Sequence, residues 1–330
     1  MKLPRLVADE FLSTLRESRS VKDLFRFVWK LSARDQIFLS LLAVGIFLVD
    51  LLPLELQRRI ANSAVEKHDF KIVILLSLVY VATAVTLGGL KMALNVYKGS
   101  VTEKANRYMR LDKNLLETVR ADHRDNPEQE AVAVSIVVSE VEAVGGFVGT
   151  SFSEPVLNGG ILISVFGYML FMQPGMAVVA LLLFVPQVLF IPLLQNAINV
   201  RTKKRIKTVR KAGVDIVSET TDPDGVRERS YRRRVRRVYD LNMQIYWRKY
   251  GMNFLMNLFY HFGVIGILFI GGWFLIQGKT EIGTVIAFIS GLDRMNDPWG
   301  DLVNYFRDLT NAAVKYKLIE RVFDGKKATA

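Results

Sequence analysis

The chain has 330 residues, of which 51% are hydrophobic and 23% are charged, and its net charge is +12. Its mean hydropathy is +0.23, and the apolar residues are gathered in long runs. The absence of cysteine excludes disulfides, cysteine-based zinc or iron–sulfur sites and a thiol nucleophile. Runs of about 20 apolar residues can cross a hydrocarbon layer about 30 Å thick. The composition therefore predicts an integral membrane protein.

Residues 1–35 are predicted to form an N-terminal region with one amphipathic helix. Apolar and charged residues alternate there at helical spacing: Val21, Leu24, Phe25 and Val28 against Lys22, Asp23, Arg26 and Lys30. This pattern is typical of a helix that lies in the membrane interface, and an ordinary surface helix is the alternative.

Residues 36–323 are predicted to form an all-α membrane domain with six spans, followed by a tail at 324–330. The spans are expected at about 37–54, 72–90, 152–172, 176–196, 253–277 and from 282 to 292 and beyond. The sixth span is the least apolar, because charged residues interrupt it from Asp293 onward. Asp50, close to Pro53, is expected at the outer, interfacial end of the first span.

The distribution of charge predicts the orientation. Residues 196–250 contain sixteen Lys and Arg against six Asp and Glu, a net charge of +10. Basic residues near span ends are retained in the cytoplasm. The long connections and both termini are therefore predicted to be cytoplasmic, in a plasma (inner) membrane.

The two long connections, about 91–150 and 196–250, are predicted to be cytoplasmic helical hairpins. Each has a single proline near its middle, Pro127 or Pro223, among turn-forming residues. Loops of this length without structure of their own are uncommon. We therefore expect spans two to five to continue as helices about 37 Å into the cytoplasm, given about 25 residues at 1.5 Å each.

The chain resembles the transmembrane domain of a type I ABC exporter. The most specific similarity lies in the C-terminal third: Gly272, Gly278-Lys-Thr-Glu-Ile-Gly283, Ala287-Phe288, Pro298, Leu302, Ala312-Ala313 and Arg321-Val-Phe-Asp324. The hairpins add Asn126-Pro127 with Ser139-Glu140-Val141-Glu142, and Glu219 with Gly225-Val226-Arg227 and Tyr231. The spacing before Gly225 is longer than in the family pattern.

The resemblance implies a short coupling helix at each hairpin tip, seated on a nucleotide-binding subunit. The residues to which it gives this role are Asp122, Asp125, Asn126, Pro127, Glu128, Asp222, Pro223, Gly225, Arg227, Arg229 and Tyr231. It also implies a homodimer, or a dimer with a related transmembrane half, surrounded by membrane lipid.

The sequence contains no phosphate loop of the form G-x-x-x-x-G-K-[ST], which nucleotide binding of this class requires. Gly272 to Thr280 has five residues between its glycines and falls at a predicted outer turn. We therefore expect no ATPase activity and no cofactor in this chain, with ATP and magnesium bound by a separate subunit. A longer exporter, of which this chain is a part, is the alternative.

Five polar residues are candidates for a substrate or proton pathway: Glu154, His261, Asp293, Arg294 and Asp297. Ionisable residues inside a membrane are costly and commonly functional. The alternatives are an interfacial position for Glu154, a packing role for His261, and a cytoplasmic-leaflet position for the other three. Arg294 and Asp297, three residues apart on a helix, are expected to be able to pair.

Other functions remain open at this stage. A proton-coupled permease on the same scaffold would use Glu154, His261 or Asp293 as the proton carrier, whereas a membrane scaffold would transport nothing. Nucleic-acid binding by the arginine runs is disfavoured, because membrane topology and acidic partners account for them.

Overall fold

The structure is a computed structural model that describes residues 18–67, 69–112, 140–217 and 226–323. Within those ranges it is almost entirely helical and contains no β-strand. The helices, in chain order, are α1 Ser18–Val49, α2 Leu52–Asn62, α3 Phe70–Arg110, α4 Val141–Thr150, α5 Ser153–Met172, α6 Pro174–Val217, α7 Val226–Ile276 and α8 Ile282–Phe323.

The chain divides into two compact units. Unit 1 comprises Met1–Pro174 and Trp273–Ala330, and unit 2 comprises Gly175–Gly272. Unit 1 thus holds α1 to α5 and α8, whereas unit 2 holds most of α6 and α7.

Five helical stretches of the described residues are long and apolar enough to cross a membrane. They are Val21–Val65, Phe70–Arg110, Ser153–Met172, Pro174–Val209 and Glu228–Ile276. The first five predicted spans fall within them, which supports an integral membrane protein. The sixth predicted span lies in α8, which is 42 residues long but too polar to be counted with the other five.

The N-terminal amphipathic helix is the first part of α1 and runs into the first span. The backbone leaves helical geometry at Ser32 (φ −143°, ψ 31°), where the hydroxyl donates a hydrogen bond to the Val28 carbonyl at 3.0 Å. Leu24 and Val28 are fully buried and belong to the core of unit 1. The apolar face of this helix therefore packs on protein, and its location at a membrane surface stays a prediction.

The core of unit 1 joins α1, α3, α4 and the C-terminal half of α8. Its buried side chains include Leu94, Met109 and Val144. Phe147 on α4 packs against Tyr305 on α8, with 5.8 Å between ring centroids. This apolar cluster fixes α8 relative to the helices that carry the charged residues described below.

Unit 2 is an antiparallel helical hairpin. Phe190 packs on Phe259 at a centroid distance of 5.5 Å, and Arg201 donates to Gln244 at 3.2 Å. With 51 residues, α7 extends about 77 Å at 1.5 Å per residue, far more than the 40–45 Å of a whole bilayer. The span predicted at 253–277 is thus part of a much longer helix, and the position of its polar part outside the membrane stays a prediction.

Candidate functional site

Asp50 is the buried centre of an ion cluster in unit 1. Its carboxylate Oδ1 lies 2.8 Å from Arg294 Nη1 on α8 and 3.6 Å from Lys91 Nζ on α3. Arg294 also donates to the Asp50 backbone carbonyl at 3.2 Å. Only 5% of the Asp50 side chain is exposed, and these two cations compensate the loss of hydration of its carboxylate.

The structure buries Asp50 against protein at the end of α1, and its depth relative to the membrane interface stays a prediction. The helix breaks at Asp50 and Leu51, between α1 and α2, and α2 begins with Pro53 in its first turn. The break turns the carboxylate toward α3 and α8. It also explains why Arg294 pairs with Asp50 and not with Asp297, its predicted partner.

A second cluster surrounds the ion pair between Lys98 and Glu154. Lys98 Nζ lies 2.5 Å from Glu154 Oε1, with 9% and 25% of the side chains exposed, respectively. Asn158, one turn further along α5, donates to the other carboxylate oxygen at 2.8 Å. Asp301 on α8 lies in the electrostatic field of Lys98, Glu154 and Asp297. Lys98 and Glu154 therefore form the centre of this cluster, and Asp301 interacts with both of them through space.

Helix α8 presents a row of exposed acidic side chains. Asp293, Asp297, Asp301 and Asp308 are exposed, and their spacing of four, four and seven residues puts them on one helical face. Of these four, Asp301 interacts with the Lys98–Glu154 cluster, and Asp297 and Asp293 precede it toward the start of α8. We call these four residues the acidic row.

The five pathway candidates thus separate into three groups. Glu154, Arg294 and Asp297 lie in or beside the two charged clusters of unit 1, and Asp293 heads the acidic row. His261 lies on α7 in unit 2, exposed and beside the ring of Tyr260. The two clusters belong to unit 1 and His261 to unit 2.

The hairpin tips are described only in part. Asp122, Asp125, Asn126, Pro127, Glu128, Asp222, Pro223 and Gly225 lie outside the described residues. The backbone of Arg227 belongs to the first turn of α7, and Arg229 and Tyr231 follow on the same helix. Arg232, in the next turn, pairs with Glu228 at 2.7 Å.

Sequence reasoning missed Lys91, Lys98 and Asp301. One signal was available: Lys91 and Lys98 are seven residues apart, two helical turns, and therefore share a face of α3. Asp301 likewise follows Asp297 by four residues. Because each lies at or beyond the predicted end of a span, all three read as ordinary cytoplasmic charges.

No cluster of three or more metal-ligating side chains occurs among the parts of the chain that the structure describes. The chemistry available to the two clusters is the pairing and re-pairing of charged side chains within a helix bundle.

A scan against protein-family models gives no match for this chain, and a search of curated proteins gives none either.

Proposed function

We propose that this chain is the membrane-spanning half of a transporter of the type I ABC exporter kind. Two copies would form a substrate pathway in a plasma (inner) membrane with both termini in the cytoplasm. A separate nucleotide-binding subunit would bind ATP and magnesium and drive the cycle. The observation that supports the proposal is the acidic row on α8, together with the ion clusters around Asp50 and around Lys98 and Glu154.

Charged side chains in a bilayer are stable where they face water, protein or each other, and costly where they face lipid. Asp297 lies 15 residues after the start of α8 at Ile282, about 22 Å along the helix. This depth lies within a hydrocarbon layer about 30 Å thick. An exposed carboxylate there favours a water-filled path or a partner copy on this face of α8.

The negative charge of the acidic row favours a water-filled path over direct contact with a partner copy on this face of α8. If two copies meet about a two-fold axis along α8, each brings the same carboxylates to the axis. Like charges in close contact destabilise an interface. The two acidic rows are therefore best separated by water, which is what a central transport pathway requires.

The position of the arginine-rich stretch of α7 supports a soluble partner. Tyr246, Trp247 and Tyr250 are exposed and resemble the aromatic belt of a membrane interface. Arg229 to Arg237 lie 9–17 residues nearer the cytoplasmic tip than Tyr246, the aromatic residue of this set closest to the tip, which is about 14–26 Å along the helix. Because the Debye length is about 8 Å at physiological salt, lipid headgroups exert little attraction there. An acidic face of a cytoplasmic subunit is the better partner.

The test is reconstitution with the proteins that co-purify with this chain in mild detergent. We expect an ATPase subunit among them, and we expect its hydrolysis rate to rise at least several-fold when it is combined with this chain in proteoliposomes. Absence of a complex, together with unchanged hydrolysis for every co-purifying ATPase, would refute the proposal.

One observation favours a second candidate, a proton-coupled permease. Lys98 and Glu154 form a largely buried ion pair in the electrostatic field of Asp301, and protonation of Glu154 would release the lysine. In that case a pH gradient across nucleotide-free proteoliposomes would dissipate faster than across protein-free ones, as read by an internal pH dye. The Glu154→Gln variant would abolish the difference.

A further inference from the structure

A polar network ties together the end of unit 1 that carries the 277–281 turn. Arg58 on α2 pairs with Glu55 at 2.9 Å and with Glu281 at 3.0 Å. Tyr168 near the end of α5 donates to Glu55 at 2.8 Å. Asn62 donates to Glu281 and accepts from the Gly283 backbone amide at 2.7 Å. The network therefore connects α2 to α5 and to the start of α8.

The backbones of α2 and α8 are also in close contact at this end. A Cβ atom built on Gly283 would overlap the Arg58 carbonyl oxygen and the Asn62 side chain. Only glycine allows this approach, because the Arg58 carbonyl is a backbone atom that cannot rotate away. We call this contact between α2 and the start of α8 the seam. It is closed by a steric fit at Gly283 and by charged side chains on both sides.

The other end of α8 is held differently. Tyr305, Ala312, Ala313 and Ile319 belong to the apolar core of unit 1. Separating apolar side chains exposes them to solvent, which is costly in proportion to area. The ion pair between Arg58 and Glu281 can instead break, with water replacing each partner, because Glu281 is already half exposed. Ion pairs of this kind contribute little to stability. The outer half of α8 also buries Ala287, Phe288 and Leu292, so the polar network above them is the part of α8 that can exchange its contacts for water while the apolar packing stays intact.

We propose that Glu55, Arg58, Asn62, Tyr168 and Glu281 form an outer latch, which keeps the pathway beside α8 closed to the outside and has to open for access from there. The inference rests on the proposed function, since it assumes that the exposed face of α8 lines a pathway. It adds the position of the outer gate and the residues that hold it shut.

The test measures access from outside to a cysteine placed on α8. The chain has no cysteine, so Asp293→Cys, about 16 Å below the start of α8, would be the single thiol. The reagent is 2-sulfonatoethyl methanethiosulfonate, which does not cross membranes, applied to intact cells. With the latch intact we expect slow modification, and with Arg58→Gln and Glu281→Gln together we expect a rate at least 10-fold higher.

A second variant opens the seam without changing a charge. Gly283→Ala should force α8 away from the Arg58 carbonyl and give the same increase in modification rate. Two matched controls should leave the rate unchanged. Lys71→Gln removes an exposed cation at the start of α3, outside the latch, and Gly300→Ala adds a Cβ to α8 where nothing lies within 4 Å.

Equal modification rates in the latch-intact chain, the double glutamine variant and Gly283→Ala would overturn the latch, whether those rates are all slow or all fast. A lowered melting temperature with unchanged rates would show a purely structural role and would overturn it as well. Failure of the proposed function looks different. No ATPase complex would form, whereas the modification rates would still respond to the latch variants.

Discussion

Lys98 and Glu154 form an ion pair with 2.5 Å between Nζ and Oε1, on helices that are distant in sequence. The lysine is the more deeply buried partner, with 9% of its side chain exposed. Removing one member of a buried pair leaves the other charge without compensation, which costs more than the pair itself contributes. The pair therefore fixes how α3 and α5 meet beside the acidic row.

We expect Lys98→Met to destabilise the protein by about 3 kcal/mol, because the largely buried Glu154 carboxylate then loses its ion-pair partner. Adding Glu154→Gln to that variant should recover part of the loss, since it removes the stranded charge. Thermal unfolding of the four chains of this double-mutant cycle in detergent would measure the coupling. Additive effects of the two substitutions would contradict the pairing.

The sequence predicts the helices of this protein better than their charged contacts. The turns near Gln173 and at Gln277 to Gly283 are predicted closely, because proline and glycine mark them. The long helices α6 and α7 follow from uninterrupted apolar runs that continue into polar stretches of high helix propensity. These are local properties, and a single sequence contains them.

The environment of Asp50 could not be predicted in this way. Its partner Arg294 is 244 residues away in the chain, and pairing over that distance is a property of the packed helices. The break after Val49 also has no glycine, and Pro53 alone suggested the end of the span. Lys98 was missed for the same reason, since only the packing of α3 on α5 makes it a buried residue.

We expect Asp50→Asn to destabilise the protein by about 2 kcal/mol, because Arg294, with 24% of its side chain exposed, loses a charged hydrogen-bond partner, whereas Lys91, with 49% exposed, can be hydrated. Asp293→Asn is the matched control on α8. It removes an exposed carboxylate, so its effect should stay within about 0.5 kcal/mol. Melting temperatures in the same detergent compare the two, and equal shifts would argue against the buried cluster.

The approach of α4 to α3 beside Lys98 depends on Gly149. A Cβ built there would lie 2.7 Å from the Lys98 backbone carbonyl and would also overlap the Thr102 hydroxyl. We expect Gly149→Ala to cost about 1–3 kcal/mol, as overpacking of a tight contact does. Circular dichroism melting curves give the difference.

Gly146, one turn earlier on α4, supplies the control for that prediction. Nothing lies within 4 Å of a Cβ built on it, and alanine is the better helix former by about 1 kcal/mol. Gly146→Ala should therefore be neutral or slightly stabilising. A loss of stability as large as that of Gly149→Ala would mean that α4 tolerates no added methyl group, whatever its surroundings.

The arginine stretch of α7 gives the last prediction, which concerns the ATPase subunit of the proposed function. Replacing Arg227 and Arg229 by Glu should weaken its binding at least 10-fold at 0.15 M salt, because each reversal replaces attraction to an acidic face by repulsion. The loss should shrink as the salt concentration rises, since screening reduces both effects. Binding is measured by titration of the purified, detergent-solubilised chain.

Lys204 and Lys207 provide a matched charge reversal, because both are exposed cations of the same hairpin. Lys204 and Lys207 lie 30 and 33 residues after Pro174, the start of α6, or about 45–50 Å along it, whereas Arg229 lies about 70 Å from Ile276 along α7. If binding is local to the tip, this control should change affinity less than about threefold. If both double variants weaken binding equally, the partner responds to the net charge of the hairpin, and the tip has no special role.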